Sequence, residues 1–338
     1  MTHGVAIIGC GFVAQKRAKA LAGARLTACT DLKRERAEAL ARTAPGVAVS
    51  DDWQAAVHRA DVDIVVVATT NDRLAEITQV AVEAGKHVLV EKPAGRSVAE
   101  LDGVLEMAER RHRLVRVGFN HRYHPAVRKA RDLVDAGAVG DLLYIRGRYG
   151  HGGRIGYEKE WRAKPAISGG GELIDQGVHL IDLSRWFLGD FLSVTGFAHT
   201  YFWRMLVDDN AFLLLRTARD QTAFLHVSCT EWKNLFSFEI SGSRGKLHLE
   251  GLGGSYGPEK ITCYRMLPDM GPPETTMWEY PRADPSWTLE FAEFLVDIEL
   301  DRTPAAGLAE ARAVLTVVED IYRQSGNECP PAASVDRR

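Results

Sequence analysis

Three groups of residues in this sequence combine types and spacings that chemistry needs. The first is Lys92, which follows Glu91 at the end of the apolar run HVLV and precedes Pro93, in the stretch VEKPAG. An ammonium group held on a rigid turn can stabilise an alkoxide as a hydroxyl loses its proton. The second is Asp175 and His179, four residues apart in GGGELIDQGVHLIDL. On a helix that spacing puts both side chains on one face, roughly 5–6 Å apart at Cβ. An imidazole titrates near neutrality and can take a proton, and a carboxylate beside it can orient it or bind a hydroxyl. Asp182 continues the same polar stripe. The third is Gly9-x-Gly11-x-x-Ala14 in VAIIGCGFVAQ, with Asp31 twenty residues beyond Gly11. The first glycine permits a tight turn, and the second lets the backbone approach a pyrophosphate at a helix N-terminus. The acid accepts hydrogen bonds from ribose hydroxyls. Each group alone has a bland explanation: a solvated lysine, a surface Asp–His pair, an empty strand-to-helix turn. Together they are the parts needed to take a hydride from carbon and a proton from oxygen.

The elements that must carry these residues follow from hydrophobic patterning. Up to about residue 125, short continuous apolar runs (GVAIIG, RLTACT, VAV, VDIVVVAT, KHVLVE, LVRVGF) alternate with amphipathic segments near 12–22, 33–43, 52–59, 73–84, 97–112 and 124–136. Unbroken apolar strands separated by helices indicate a parallel sheet covered on both faces. The glycine loop and Lys92 both follow strand ends, where ligands of such sheets bind. From about 142 the runs change to LLYIRGRY, FLSVTGFAHTYF, AFLLLRT, TAFLHVS, FSFEISGSRGKLHLE and KITCY, with SGSRG as a turn between two strands. That pattern predicts a mostly antiparallel sheet. One helix over 169–187 interrupts it, two helices near 286–300 and 307–324 close the chain, and the tail PPAASVDRR is expected to fray. No linker of low complexity divides the two patterns, which predicts a helix shared between domains.

Composition narrows the class. With 338 residues, 46% hydrophobic and 26% charged, two globular domains are expected. The net charge of −3 offers no field for nucleic acid or an anionic membrane. Cys10, Cys29, Cys229, Cys263 and Cys329 are odd in number and form no C-x-x-C. That argues against a disulfide framework or a metal site and fits a reducing cytoplasm. The N-terminal apolar run lacks a basic region before it and reads as a strand, and no run of eighteen apolar residues is present.

GCGFVA, AGKHVLVEKPAG, GFNHRYHPAV and WRAKPAISGGGELIDQGVHLIDL occur in an order that resembles the Gfo/Idh/MocA oxidoreductases, over nearly the whole chain. The resemblance implies an α/β protein: an N-terminal Rossmann dinucleotide-binding domain, residues 1–123, and a C-terminal α+β domain, residues 124–338, with an open, mostly antiparallel sheet. That second domain would bind substrate and form a homodimer or homotetramer through its sheet. The implied chemistry is hydride transfer at a secondary alcohol of a sugar or cyclitol, with Lys92 on the substrate hydroxyl, His179 as acid/base and Asp175 as its partner. Positions expected to face the cofactor are Gly9, Gly11, Phe12, Val13, Asp31, Thr69, Asn71, Glu91, Lys92 and Asn120. Many relatives carry Pro-Asn-x-x-His after the fourth strand. Here the stretch is TTNDRL, so Asn71 remains but Leu74 stands where the histidine would be.

Several alternatives stay open. Glu91 could orient Lys92 or line the cofactor pocket. Asp31 favours NAD, because a carboxylate repels a 2′-phosphate, while Lys33 and Arg34 could receive that phosphate and make NADP the cofactor. The segment RYGHGGRIGYEKEWRAKP is polar, basic and aromatic, and offers His151, Arg154, Tyr157, Trp161 and Arg162 as substrate contacts, beside Asn120 and the catalytic groups. Its bases Arg154, Lys159, Arg162 and Lys164 predict a pyranose or cyclitol that carries an anionic group, such as a phosphate, a nucleotide diphosphate or a carboxylate, although Glu158 and Glu160 could neutralise them. Two other functions use the same parts: an NAD-dependent glycosidase with transient oxidation, and a non-catalytic dinucleotide sensor.

Overall fold

The computed structural model describes residues 2–326. The tail 330–338 and Cys329 lie outside the described residues. The contacts group the chain into two compact units: Met1–Phe119 with Trp287–Leu315, and Asn120–Ser286 with the chain from Thr316.

The first unit alternates β1 (Gly4–Ile8), α1 (Phe12–Lys19), β2 (Arg25–Thr30), α2 (Arg34–Ala41), β3 (Ala48–Val49), α3 (Trp53–Val57), β4 (Ile64–Val67), α4 (Asn71–Glu83), β5 (His87–Val90), α5 (Val98–Arg111) and β6 (Val115–Val117). The strands form one parallel sheet in the order β3-β2-β1-β4-β5-β6. Apolar strands such as GVAII and IVVV are buried along their whole length, as a sheet covered on both faces requires. The order reverses between β1 and β4, and this is the switch point where doubly wound sheets hold ligands beyond their carboxyl ends.

The second unit holds α6 (Pro125–Asp135), β7 (Leu142–Gly150), α7 (Pro165–Ser168), α8 (Val178–Leu188), β8 (Phe191–His199), β9 (Asn210–Thr217), β10 (Thr222–Ser228), β11 (Leu235–Gly242), β12 (Gly245–Glu250), β13 (Glu259–Arg265) and β14 (Glu274–Tyr280). Its eight strands run in the order β14-β13-β12-β11-β7-β10-β9-β8, antiparallel except for the β7–β10 pair. Two helices follow, α9 (Ser286–Glu299) and α10 (Leu308–Gln324).

The elements depart from the sequence expectations in three places. The segment 169–187 is not one helix. Gly169, at φ +81°, ends α7, and a π-helical turn over Leu173–Gly177 precedes α8. The glycines supply no helix-forming side chain, and the N–H groups of Gly171 and Leu173 are capped from elsewhere, by the buried carboxylate of Asp208 at 2.9 and 2.8 Å. β14 escaped prediction because it is an exposed edge strand, ETTMWEY, without a buried apolar face. Within the chain assigned by sequence to the second domain, Trp287–Leu315 groups with the first. Phe291 and Phe294 of α9 join Val5, Ile7, Leu26, Ile64 and Leu89 in one buried cluster, so α9 completes the first core. The division passes through α10, after Leu315.

Candidate active site

In the first unit the glycine loop joins β1 to α1. Gly9 has φ +86°, and a Cβ there would lie 2.6 Å from the Ala68 carbonyl oxygen beyond β4, so only glycine fits. Gly11 is different. Its φ is −74°, open to any residue, and a Cβ there would meet no atom within 4 Å. The fold itself does not need that glycine, whereas a ligand approaching the backbone does. Gly11 is the N-cap of α1, no side chain caps this end, and the first turn carries no acid. Phe12 is exposed and Val13 half-buried beside these open N–H groups. Such an end suits a pyrophosphate.

Asp31 closes the same loop. Its Oδ2 accepts the Cys10 N–H at 2.7 Å and its Oδ1 the Lys33 N–H at 2.8 Å, which holds a half-buried carboxylate at the end of β2. Arg34, the nominal 2′-phosphate group, is bonded to Glu38 at 2.9 Å and paired with Asp51. Thr69 is half-buried and Asn71 buried at the start of α4. Leu74 is fully buried on that helix, as an aliphatic residue in place of a histidine should be.

Lys92 lies on a turn that leaves β5. From Glu91 to Ser97 every side chain is buried except that of Lys92, which is half-buried. The Lys92–Pro93 peptide is cis. Glu91 faces inward, with Oε1 accepting from Arg17 Nε at 2.6 Å. Of the two roles open for Glu91, this partner bears on the placing of its neighbour Lys92. Arg17, fully buried, also pairs with Glu290 of α9. Burial works against its charge, yet Glu290 and Glu91 outweigh it and hold the guanidinium above its ordinary pKa.

In the second unit His179 is buried near the start of α8, stacked on His121 with centroids 3.7 Å apart and planes 19° from parallel. Tyr149 packs edge-on against both rings, at 5.3 Å from His121 and 6.3 Å from His179. Asp175 sits in the π-helical turn, so it and His179 do not share one regular α-helix. Its Oδ2 accepts from Arg162 Nε at 2.9 Å. Asp182 does not extend a polar stripe toward substrate. It forms a buried two-bond pair with Arg122, at 2.8 and 2.6 Å. Asn120 is likewise occupied, donating to Ser286 Oγ at 3.0 Å and meeting His121 Nδ1 through its Oδ1 at 3.3 Å.

The segment before the glycines is also tied down. Arg154 pairs with Glu160 at 2.7 Å, and Arg162 lies over the Trp161 ring. Tyr157 is buried, and burial first, then Glu172 and Asp175, push its phenol well above the ordinary range. His151 Nδ1 accepts the Gly153 N–H at 2.9 Å, which leaves the ring proton on Nε2, 3.6 Å from Glu172 Oε2. Both ring nitrogens of His151 therefore face protein groups. Glu172 is fully buried, and neither of its oxygens has a hydrogen-bond partner among the described residues. Burial raises its pKa and His151 opposes that rise.

His121, Tyr149, Glu172 and Arg17 were not singled out from the sequence. Arg17 had a signal: its spacing from Ala14 and Leu21 puts it on the apolar face of α1. Glu172 and His121 lie inside motifs read for their other residues. Tyr149 gave no signal beyond strand alternation.

Comparison with known proteins agrees with this layout. Residues 3–119 match the oxidoreductase family's NAD-binding Rossmann fold, and residues 127–248 match the GFO/IDH/MocA C-terminal domain. The chain belongs to the Gfo/Idh/MocA family. Among family members, inositol 2-dehydrogenase 2 of Saccharopolyspora erythraea is 33% identical over 205 residues, 59% of this chain and 58% of that protein. Levoglucosan dehydrogenase of Pseudarthrobacter phenanthrenivorans is 33% identical over 154 residues, 45% of this chain and 40% of that one. The chain thus spans 40% to 58% of the length of these curated relatives. A levoglucosan dehydrogenase structure in complex with NADH and levoglucosan superposes with a TM-score of 0.88, covering 96% of this chain and 98% of that one at 22% identity, which establishes the shared fold.

Proposed function

We propose that this Gfo/Idh/MocA protein is a dehydrogenase that uses NAD to oxidise a secondary alcohol of a sugar or cyclitol. The observation that carries this reading is Lys92, the one side chain left partly exposed on an otherwise buried turn beyond β5. The named activities of the relatives, on inositol and levoglucosan, point the same way.

The residues fit the cofactor. The N–H groups beyond Gly11 would hold its pyrophosphate, and Asp31 its ribose hydroxyls. When bound, the nicotinamide supplies the hydride acceptor. His179 takes the hydroxyl proton, an imidazole being suited to that transfer near neutrality. Lys92 stabilises the alkoxide as it forms. Asp175, which accepts from Arg162, binds a substrate hydroxyl or orients His179. NAD is favoured over NADP because Arg34 is engaged by Glu38 and Asp51 while Asp31 stands at the ribose position. A neutral substrate is favoured over an anionic one, since Arg154 and Arg162 already face Glu160 and Asp175. The partner we propose is a second copy of the chain, bound through the open face of the eight-stranded sheet.

The test is a panel of free sugars, anhydrosugars, inositols, sugar phosphates and nucleotide sugars with NAD and NADP, followed by absorbance of the reduced cofactor. Net NADH formation with a neutral sugar or inositol, abolished in Lys92→Ala, is expected. Glycoside cleavage with cofactor recycling would make the protein an NAD-dependent glycosidase. Reduction only with anionic substrates would overturn the substrate class alone.

A further inference from the structure

Arg17 is a full positive charge in the core of the first unit, with no surface exposed. It sits in the second turn of α1, the helix whose N-terminus is the proposed pyrophosphate site. Its Nε donates to Glu91 Oε1 at 2.6 Å, its Nη1 pairs with Glu290, and its guanidinium lies 4.4 Å from the Trp287 ring centroid. The room for this arrangement comes from Gly118, where a Cβ would stand 2.6 Å from Arg17 Nη2 and 3.1 Å from Glu91 Oε2. Glu91 in turn has little freedom. Its N–H bonds the Val67 carbonyl of β4 at 2.9 Å, and its own carbonyl accepts from Ala94 across the turn at 2.9 Å. The next residue is Lys92.

We infer that the Arg17–Glu91 pair, braced by Glu290, is a positioning device for Lys92. It ties the turn that carries the ammonium group to the helix that receives the cofactor's phosphates. Binding of the dinucleotide at the N-terminus of α1 and the placement of Lys92, through Arg17 and Glu91, are thereby set by one element. A core ion triad serving stability alone would need no member adjacent to a catalytic group. The chemistry gives the pair its importance, because alignment errors of about 1 Å can cost roughly a hundredfold in rate. The inference rests on the proposed role of Lys92.

The test is a double-mutant cycle of Glu91→Gln with Lys92→Ala, with rates normalised to the folded fraction from thermal melts. Glu91→Gln keeps the side-chain shape and removes the charge that Arg17 holds. Its expected effect is a fall in kcat of about tenfold to a hundredfold, with KM for NAD and for the alcohol little changed. The primary deuterium isotope effect on the oxidised carbon should rise. In the Lys92→Ala background the same substitution should add almost nothing, since the group it positions is gone. Full turnover in Glu91→Gln, or losses that multiply in the double variant, would overturn the inference. Wild-type turnover in Lys92→Ala would instead remove the parent reading. If Glu91→Gln fails to fold, Arg17→Lys, which keeps the charge but loses the fork, carries the same cycle with the same two outcomes deciding.

Discussion

Neighbouring residues in this protein take opposite roles because their side chains meet opposite environments. Glu91 is turned into the core onto Arg17, while Lys92 stays half-exposed. His179 shows the same dependence on surroundings. Its ring lies against His121 in a buried stack. His179→Asn should cut turnover by about a hundredfold or more and flatten the rise of kcat/KM between acidic and neutral pH. An unchanged limb in a pH–rate profile would assign the base elsewhere. Asp31→Ser removes the carboxylate proposed to meet the ribose hydroxyls but leaves a hydroxyl to meet the Cys10 N–H. The ratio of KM for NADP to KM for NAD should fall by about tenfold or more, read from initial rates with each cofactor. A wild-type preference for NADP would mean that Lys33 and Arg34 prevail.

Elements place these residues through contacts distant in sequence. The turn that brings in Asp175 starts where it does because Asp208 accepts the N–H groups of Gly171 and Leu173 and the hydroxyl of Tyr322. Asp208→Ala removes the shared acceptor of three donors and should cost about 3 kcal/mol, measured by denaturant unfolding, with a loss of activity that follows the loss of fold. β5, which leads into Lys92, carries a pH-sensitive contact of its own. His87 Nδ1 accepts the Leu114 N–H at 3.2 Å, and burial together with Arg113 lowers its pKa to about 4. Between the unfolded value of 6.5 and about 4 the unfolded chain binds a proton that the folded one refuses. The stability is therefore complete above pH 6.5 and lost as pH falls toward 4. Thermal melts should show wild type losing more between these limits than His87→Asn, whose amide oxygen can keep the Leu114 bond without titrating. Parallel pH curves for the two proteins would exclude the contact as a source of acid sensitivity.

At the scale of the whole molecule, Tyr144, Phe197, Leu214 and Phe224 stand exposed on one face of the eight-stranded sheet, where Leu214 and Phe224 are direct partners in register. The alternate residues Leu213, Leu215 and Leu225 are buried on the other face. An apolar sheet face of this kind suits a second copy. Phe224→Asp should shift the species seen by light scattering to a smaller oligomer or monomer, and a wild type that is already monomeric would end that proposal. The sequence by itself determined the parallel sheet with its glycine loop, the switch to a mostly antiparallel sheet, and the identity of Lys92, Asp175 and His179 as candidates. Those features are local: a continuous apolar run, a 3.6-residue period and a strand end followed by Gly-x-Gly each have a physical meaning within a dozen residues. Only the tertiary structure decided that Glu91 faces Arg17, that Asp182 belongs to Arg122, that His151 turns to Glu172, and that Arg154 and Arg162 are met by carboxylates. It also drew α9 into the first core. A charged side chain chooses its partner by distance in space, and Glu290 is 273 residues from Arg17 along the chain. No period or spacing records such a pairing, because its energy is realised only when the core closes and water is excluded.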